Sequence, residues 1–246
     1  METLKNKVAF VTGGSRGMGA AIVKQLAREG AIVAFTYVNG KEKADALVKE
    51  LTDENLNAFA IQANNAVEGE VTAALTQTLE KFGKLDILVN SAGVYLGKPI
   101  AEHTMADYHL LIDVHVTAVI ESVLFAAKHM ADHGRIINIG SNMADRLAFT
   151  GGTLYAMSKS ALIGLNRGLA RDLGPKGITV NLIQPGPTDT DMNPADGGHS
   201  DYARGMMAIP KYGHVQQIAD MVSFLANPAA SYTTGSIFTI DGGTNC

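Results

Sequence analysis

A doubly wound α/β fold, one parallel sheet with helices on both faces, is what this sequence predicts. Two observations carry the prediction. Short β-branched or aliphatic runs alternate with longer helical patterns from end to end, the signature of βαβ units. The first of these runs also flows into a glycine-rich turn and then an apolar helix.

Taken in order, strands are expected at Lys7 to Thr12, Ala31 to Thr36, Asn57 to Gln62, Leu85 to Asn90, Gly134 to Ile139, Gly177 to Gln184 and Ser236 to Ile240. They lack strict polar alternation, as strands covered on both faces should. Helical patterns fill the gaps at Gly17 to Glu29, Lys41 to Asp53, Val67 to Phe82, Thr104 to Ala131, Leu154 to Leu173 and Val215 to Ala226. Pro185 to Gly213 is too long for a simple turn, and we read a substrate lid at about 186–213. No second domain is visible, so residues 1–246 are expected to form a single domain.

Composition narrows the function. With 46% hydrophobic and 18% charged residues the chain is not generally disordered. Lys+Arg 20 against Asp+Glu 24 leaves no electrostatic footprint for nucleic acid or an anionic membrane. Cys246 is the only cysteine, so no disulfide forms within the chain. The opening METLKNKVAF lacks a secretory signal and no later run reads as membrane-spanning, which predicts a soluble, cytoplasmic protein.

Val8 to Thr12 runs into Gly13-Gly14-Ser15-Arg16-Gly17-Met18-Gly19. Glycines permit a tight turn and close backbone approach to a diphosphate, while the free N–H groups of the helix start favour negative charge. Gly13, Ser15, Arg16, Gly17, Met18 and Gly19 are therefore candidate dinucleotide contacts. An NAD site wants an acid near the end of the second strand, but no acid occurs between Glu29 and Glu42. Arg16 and Lys41 can instead bind a 2′-phosphate, with Asn39 adding neutral donors, so NADP (NADPH) is the expected cofactor. Against this, Arg16 and Lys41 also read as solvated surface charges.

Tyr155-Ala156-Met157-Ser158-Lys159 opens a helical pattern, and four-residue spacing places Tyr155 and Lys159 on one face. Moving a phenol from about 10 to about 7 takes ~4 kcal/mol. One ammonium ~4 Å away supplies that at an effective dielectric of 20, but not in bulk water. A dry crevice is required. Ser141 follows the apolar run Arg135 to Gly140, at the carboxyl edge where parallel sheets place ligands.

At these residues the chain resembles the short-chain dehydrogenase/reductase family, over nearly its whole length. Thr12-Gly13 to Gly19, Asn90-Ser91-Ala92-Gly93, Ser141 with Tyr155 and Lys159, Pro185-Gly186 with Thr190, and Asp241-Gly242-Gly243 look like the family's motifs in the family's order. Within it the chain is similar to the 3-oxoacyl-carrier-protein reductase type, which also holds many NADPH-dependent ketone reductases. The resemblance implies a Rossmann fold and hydride transfer to a small-molecule ketone or aldehyde. Tyr155 would protonate the carbonyl oxygen and Ser141 would polarise it. Lys159 would lower the tyrosine pKa and bind the nicotinamide ribose. By the same match Asn90 and Gly93 would lie along the adenosine and ribose, Asn90 reading equally as a strand-end cap, and Thr190 with the backbone near Thr188 would hold the carboxamide; Ala92, Pro185 and Gly186 are further expected cofactor contacts.

Two positions depart from the pattern. His115 stands where the family has an asparagine anchoring a relay water; it reads as a relay imidazole, as a crippled relay, or as a satisfied helix histidine. Asn64 replaces the acid that contacts adenine. His129 and His133 are four apart but lack a zincin glutamate, so no metal is expected. Asp189 and Asp191 read as a solvated lid edge. Val94, Tyr95, Leu96, Met143, Met192 and Met206 are expected to line an apolar substrate pocket. Excess apolar surface on Leu110 to Met130 and Leu154 to Leu173 predicts a homo-oligomer, dimer or tetramer. Arg171 to Pro175 and Gln184 to Asp191 also resemble the cyclic-di-GMP-binding biofilm dispersal mediators within the family, which keeps a nucleotide-sensing effector as the alternative. A subunit retained for assembly alone is a third reading.

Overall fold

Seven of the apolar runs become strands: β1 (Val8–Thr12), β2 (Ile32–Tyr37), β3 (Ala58–Gln62), β4 (Ile87–Asn90), β5 (Arg135–Ile139), β6 (Thr179–Pro185) and β7 (Ile237–Ile240). In the computed structural model, which describes residues 3–246, they pair in the order β3-β2-β1-β4-β5-β6-β7. Every pairing is parallel. β1 and β5 are buried at all five positions, whereas the edge strands β3 and β7 keep partial exposure. The sequence lacked alternation because the central strands are covered on both faces.

The helices are α1 (Gly17–Arg28), α2 (Lys41–Asp53), α3 (Glu70–Phe82), α4 (Met105–Ile112), α5 (Ala118–His129), α6 (Thr153–Leu173), α7 (Ser200–Gly205) and α8 (Val215–Ala226). One core packs α1 and α8 on Ala9, Val11, Phe35, Ile137 and Ile183; the other packs α3, α5 and α6 on Phe10, Ala34, Leu88, Ile136 and Leu182. The order in which strands are added reverses between β1 and β4, which opens a crevice at the carboxyl ends of the strands.

Three expectations change. The helix expected over Thr104 to Ala131 is interrupted by a π-helical turn at Asp113–Thr117, which carries His115. Such wider turns inside α-helices are frequent at functional sites. The long helical stretch Met105–His129 is also apolar enough to cross a membrane by length and composition, contrary to the reading that no run is. Half of its apolar window is buried inside this fold, packed against α3 and α6. Third, α3 starts at Glu70 rather than Val67, because Gly69 takes a left-handed φ of 85° that breaks the first turn.

The excursion from Gly186 to Gly213 contains α7 and is closed at its base. Asp189 N donates to Gly213 O, and Gly213 N to Pro187 O, both at 2.9 Å. A third bond ties it to the last turn of the chain, from Ile209 N to Gly242 O at 2.8 Å.

Candidate active site

β1 ends at Thr12, and its hydroxyl accepts the amides of Ser91 and Ala92, both at 3.0 Å. This locks the segment after β4 beside the glycine turn. Across the turn, Gly13 N donates to Thr36 Oγ1 at 3.0 Å and Gly14 N to Thr36 O at 2.9 Å. Gly13 needs to be glycine: its φ is +69°, and an added Cβ would lie 2.9 Å from Ala92 Cα. At Gly19 a Cβ would run into the Gly13 carbonyl. The first turn of α1 has neither a side-chain cap nor an acid, so its N–H groups suit an anion.

Around this cradle, Arg16 is exposed and Ser15 Oγ lies 3.5 Å from where a Gly40 Cβ would be. Met18 packs its side chain on the α1 core, leaving only its backbone for a ligand. Thr190 reaches over Gly17, with Cγ2 3.5 Å from a built Cβ. Asn39 and Asn64 line a groove of about 510 Å³ with Val38, Ile61, Gln62 and Glu70. Asn64 also caps a local turn, its Oδ1 accepting Ala66 N at 3.0 Å, while Glu70 accepts Asn64 N at 2.6 Å. An acid thus stands near the expected adenine edge after all, supplied from α3.

Two cofactor assignments need correction. Lys41 lies along α2 and pairs with Asp45 at 2.6 Å, an i,i+4 bridge that draws it from the cleft. Lys43 is the cation that reaches across, meeting Asp191 of the 186–213 excursion at 2.7 Å. Asn90 is buried: Nδ2 donates to Asn138 Oδ1 at 2.9 Å and Oδ1 accepts from Ser122 at 2.8 Å. Its side chain knits β4 to β5 and α5 instead of reaching a ribose, so the strand-end cap reading is the closer one. On the far side, Pro185 closes β6, Gly186 N donates to Ile240 O, and the Thr188 hydroxyl donates to Gly186 O at 3.0 Å.

The chemistry gathers at the ends of β5 and the start of α6. Ser141 is buried and caps a short turn, its Oγ accepting Met143 N at 3.2 Å. The next residue, Asn142, is held by the chain's last turn: its Nδ2 donates to Asp241 at 3.3 Å and its carbonyl accepts from Asn245 Nδ2 at 2.7 Å. Sequence reasoning missed this brace, although Asp241-Gly242-Gly243 marked the turn. Lys159 is buried and donates to the Ile139 carbonyl at 3.0 Å, with Nζ 6.0 Å from the Tyr155 ring centre. Tyr95 packs edge-on against Tyr155, ring centres 5.1 Å apart.

Burial decides the ionisation here. It pushes the Tyr155 phenol up to about 12, against the lowering effect of the Ser141 hydroxyl. It also lowers Lys159 to about 8. A dry crevice that would strengthen the ammonium's field also penalises phenolate, and burial is the largest influence on Tyr155. A phenol that stays protonated across neutral pH is a loaded proton donor.

His115 is 1% exposed. Its Nε2 accepts the Val94 amide at 3.0 Å, and its Nδ1 lies 2.8 Å from Ser158 Oγ. Neither nitrogen is left for a relay water, which removes the relay-imidazole role and favours the satisfied histidine. His129 ends α5 with its ring on Phe125 and His133 lies beyond the helix, so the two do not share a helical face.

Comparison with known proteins agrees with this geometry. The family described as Enoyl-(Acyl carrier protein) reductase matches residues 13–245. The chain is 42% identical over 242 residues, 98% of each chain, to the cyclic-di-GMP-binding biofilm dispersal mediator protein of Escherichia coli (strain K12). To a 3-oxoacyl-[acyl-carrier-protein] reductase of Synechocystis it is 35% identical over 246 residues, covering 99% of this chain and 98% of that one. A short chain dehydrogenase from Burkholderia cenocepacia, solved in complex with NADP, superposes with a TM-score of 0.98 at 48% identity, covering 99% of this chain and all of that one. Fold, crevice and sequence agree, and the chain belongs to the short-chain dehydrogenase/reductase family.

Proposed function

We propose that this oxidoreductase uses NADPH to reduce a ketone or aldehyde to an alcohol, with Tyr155 as general acid. The observation that carries the reading is the convergence of Ser141, Tyr155 and Lys159 at the sheet edge facing the glycine turn. The residues fit the cofactor. An uncapped, acid-free helix start and Arg16 suit phosphates, and the Thr190 side chain stands over Gly17 at the same turn.

When bound, NADPH supplies the hydride that reaches the carbonyl carbon. Ser141 orients the carbonyl oxygen by hydrogen bond. As the C=O π bond breaks, Tyr155 passes its phenolic proton to that oxygen, and the resulting phenolate is stabilised by the Lys159 ammonium and the Ser141 hydroxyl. A phenol near 12 still loses its proton readily to an alkoxide, whose parent alcohol is about as weak an acid as water at ~16. Lys159 also faces the Gly93 backbone, a built Cβ there lying 3.7 Å from Nζ, which supports a role for it in binding ribose hydroxyls. Thr188 and Thr190 carry the carboxamide side of the cleft. Residues 186–213 act as the substrate lid, and Tyr95 and Met192 form apolar walls, both partly exposed in this state.

The rival reading is a cyclic-dinucleotide effector, supported by the name of the Escherichia coli relative. The intact Ser141, Tyr155 and Lys159 favour turnover over sensing alone. Tight binding of cyclic-di-GMP with no oxidation of NADPH by any ketone would select the effector.

We further propose that the chain works as a homo-oligomer, because Leu110 on α4, Leu124 on α5 and Met157 on α6 expose 37%, 57% and 42% of their surface. Light scattering at micromolar protein should report a multiple of 25.9 kDa; a 25.9 kDa particle would contradict it. Tyr155→Phe should still bind NADPH but lose turnover by at least ~10²-fold in an assay following NADPH oxidation. Unchanged turnover removes the acid. Arg16→Ala should raise the Kd for NADPH more than that for NADH in fluorescence titrations, and equal effects would refute the 2′-phosphate contact.

A further inference from the structure

The His115 ring touches three separate parts of the site, and its hydrogen bonds fix its chemistry. Nε2 receives the Val94 N–H, so that nitrogen carries no proton. From the other end, the Ser158 hydroxyl donates to the Tyr155 carbonyl at 2.8 Å, so toward His115 it can only accept, and Nδ1 must carry the hydrogen. Two independent routes give one tautomer, uncharged. A second proton on the ring would set an N–H against the Val94 N–H, within a site that already holds the Lys159 amine.

The ring also acts by shape. It meets the Tyr155 ring edge to face, centres 5.4 Å apart at 89°. Tyr95 packs on that same tyrosine at 74°. A Cβ on Gly93 would come within 3.4 Å of Nε2, so the cofactor-facing segment after β4 lies directly on the imidazole. The π turn at Asp113–Thr117 presents the ring from a helix whose ordinary winding is interrupted there. Asparagine, the family's residue at this point, has a shorter side chain and would not span from Ser158 to Val94. The titratable groups packed against the ring are Tyr155 and Lys159 of α6.

We propose that His115 is a positioning residue: a neutral imidazole strut that fixes the Tyr155 ring against the Gly93–Val94 backbone and takes no proton during turnover. This rests on Tyr155 being the general acid. In place of an asparagine anchoring a water, this chain holds its acid by a covalent ring bonded at both ends. Burial and the nearby Lys159 charge act in the same sense, holding the imidazole down to about 2.

The first test needs no variant. In protein labelled with ¹⁵N-histidine and loaded with NADP⁺, the His115 imidazole should show the Nδ1–H tautomer with constant shifts from about pH 5.5 to 8.5. Titration within that range, or an Nε2–H tautomer, overturns the strut. The second test releases its far end: Ser158→Ala should lower kcat for a β-keto ester about 3- to 10-fold while the KM for NADPH stays within about two-fold, since misplacement of a reacting group acts on the chemical step. His115→Asn should lower kcat at least as much. Parental kcat in both variants overturns the proposal, as does a rise in kcat on restoring asparagine. Tyr155→Phe in the same assay separates the two levels. If it remains active the reading of Tyr155 fails; if it is inactive while Ser158→Ala and His115→Asn match the parent, the strut alone fails.

Discussion

Burial and charge compete in the crevice shared by Ser141, Tyr155 and Lys159, and the rest of the structure serves to hold them there. A pair of unit charges ~4 Å apart is worth ~1 kcal/mol in water and ~4 kcal/mol at an effective dielectric of 20. The catalytic value of Lys159 therefore depends on excluding water. Exclusion has its own effect, raising the phenol and lowering the amine so that both are biased to their neutral forms. Burial prevails at Tyr155 and favours the protonated phenol. The positive charge of an oxidised nicotinamide would tilt that balance toward phenolate, the form left after a reduction. One site can thus be a loaded acid before reduction and hold a stabilised phenolate after it.

The scaffold fixes this crevice from several directions with short polar links. Thr12 and Thr36 hold the glycine turn to the segment after β4 and to the end of β2. Asn90, Asn138 and Ser122 join the two central strands to α5 in a buried chain. Asp241 and Asn245 clamp the residue after Ser141 from the end of the polypeptide, while Ile209 ties the lid segment to the same turn through Gly242. The last turn therefore touches both the loop of Ser141 and the 186–213 excursion. Lys43 and Asp191 add an exposed bridge, a contact of a kind that solvent screens and easily displaces.

Much of this was legible in the sequence. The strands are found within a residue or two of their expected bounds because β-branched runs buried on both faces have few alternatives. Ser141, Tyr155 and Lys159 meet as expected because helical spacing fixes the tyrosine and lysine, and a strand end fixes the serine. What stayed illegible depended on partners distant in sequence. The α2 pairing of Lys41 with Asp45 was readable from i,i+4 spacing, but Lys43 reaching Asp191 was not. Asn90 matched a motif without disclosing that Asn138 and Ser122 claim its amide. The π turn has no periodicity of its own, so Thr104 to Ala131 read as one helix, and the bonds of His115 to Val94 and Ser158 were hidden with it. Spacing reveals the cation near Tyr155 but not the cost of drying the site, which raises the phenol here.

The most direct test is an ultraviolet difference titration of Tyr155, isolated from the other six tyrosines by subtracting the Tyr155→Phe spectrum, with and without NADP⁺. The account predicts a phenol that resists ionisation beyond the ordinary value of about 10 in the free protein and ionises at clearly lower pH once NADP⁺ is bound. A phenol that ionises like free tyrosine in the empty protein, or one that NADP⁺ leaves unmoved, would contradict it.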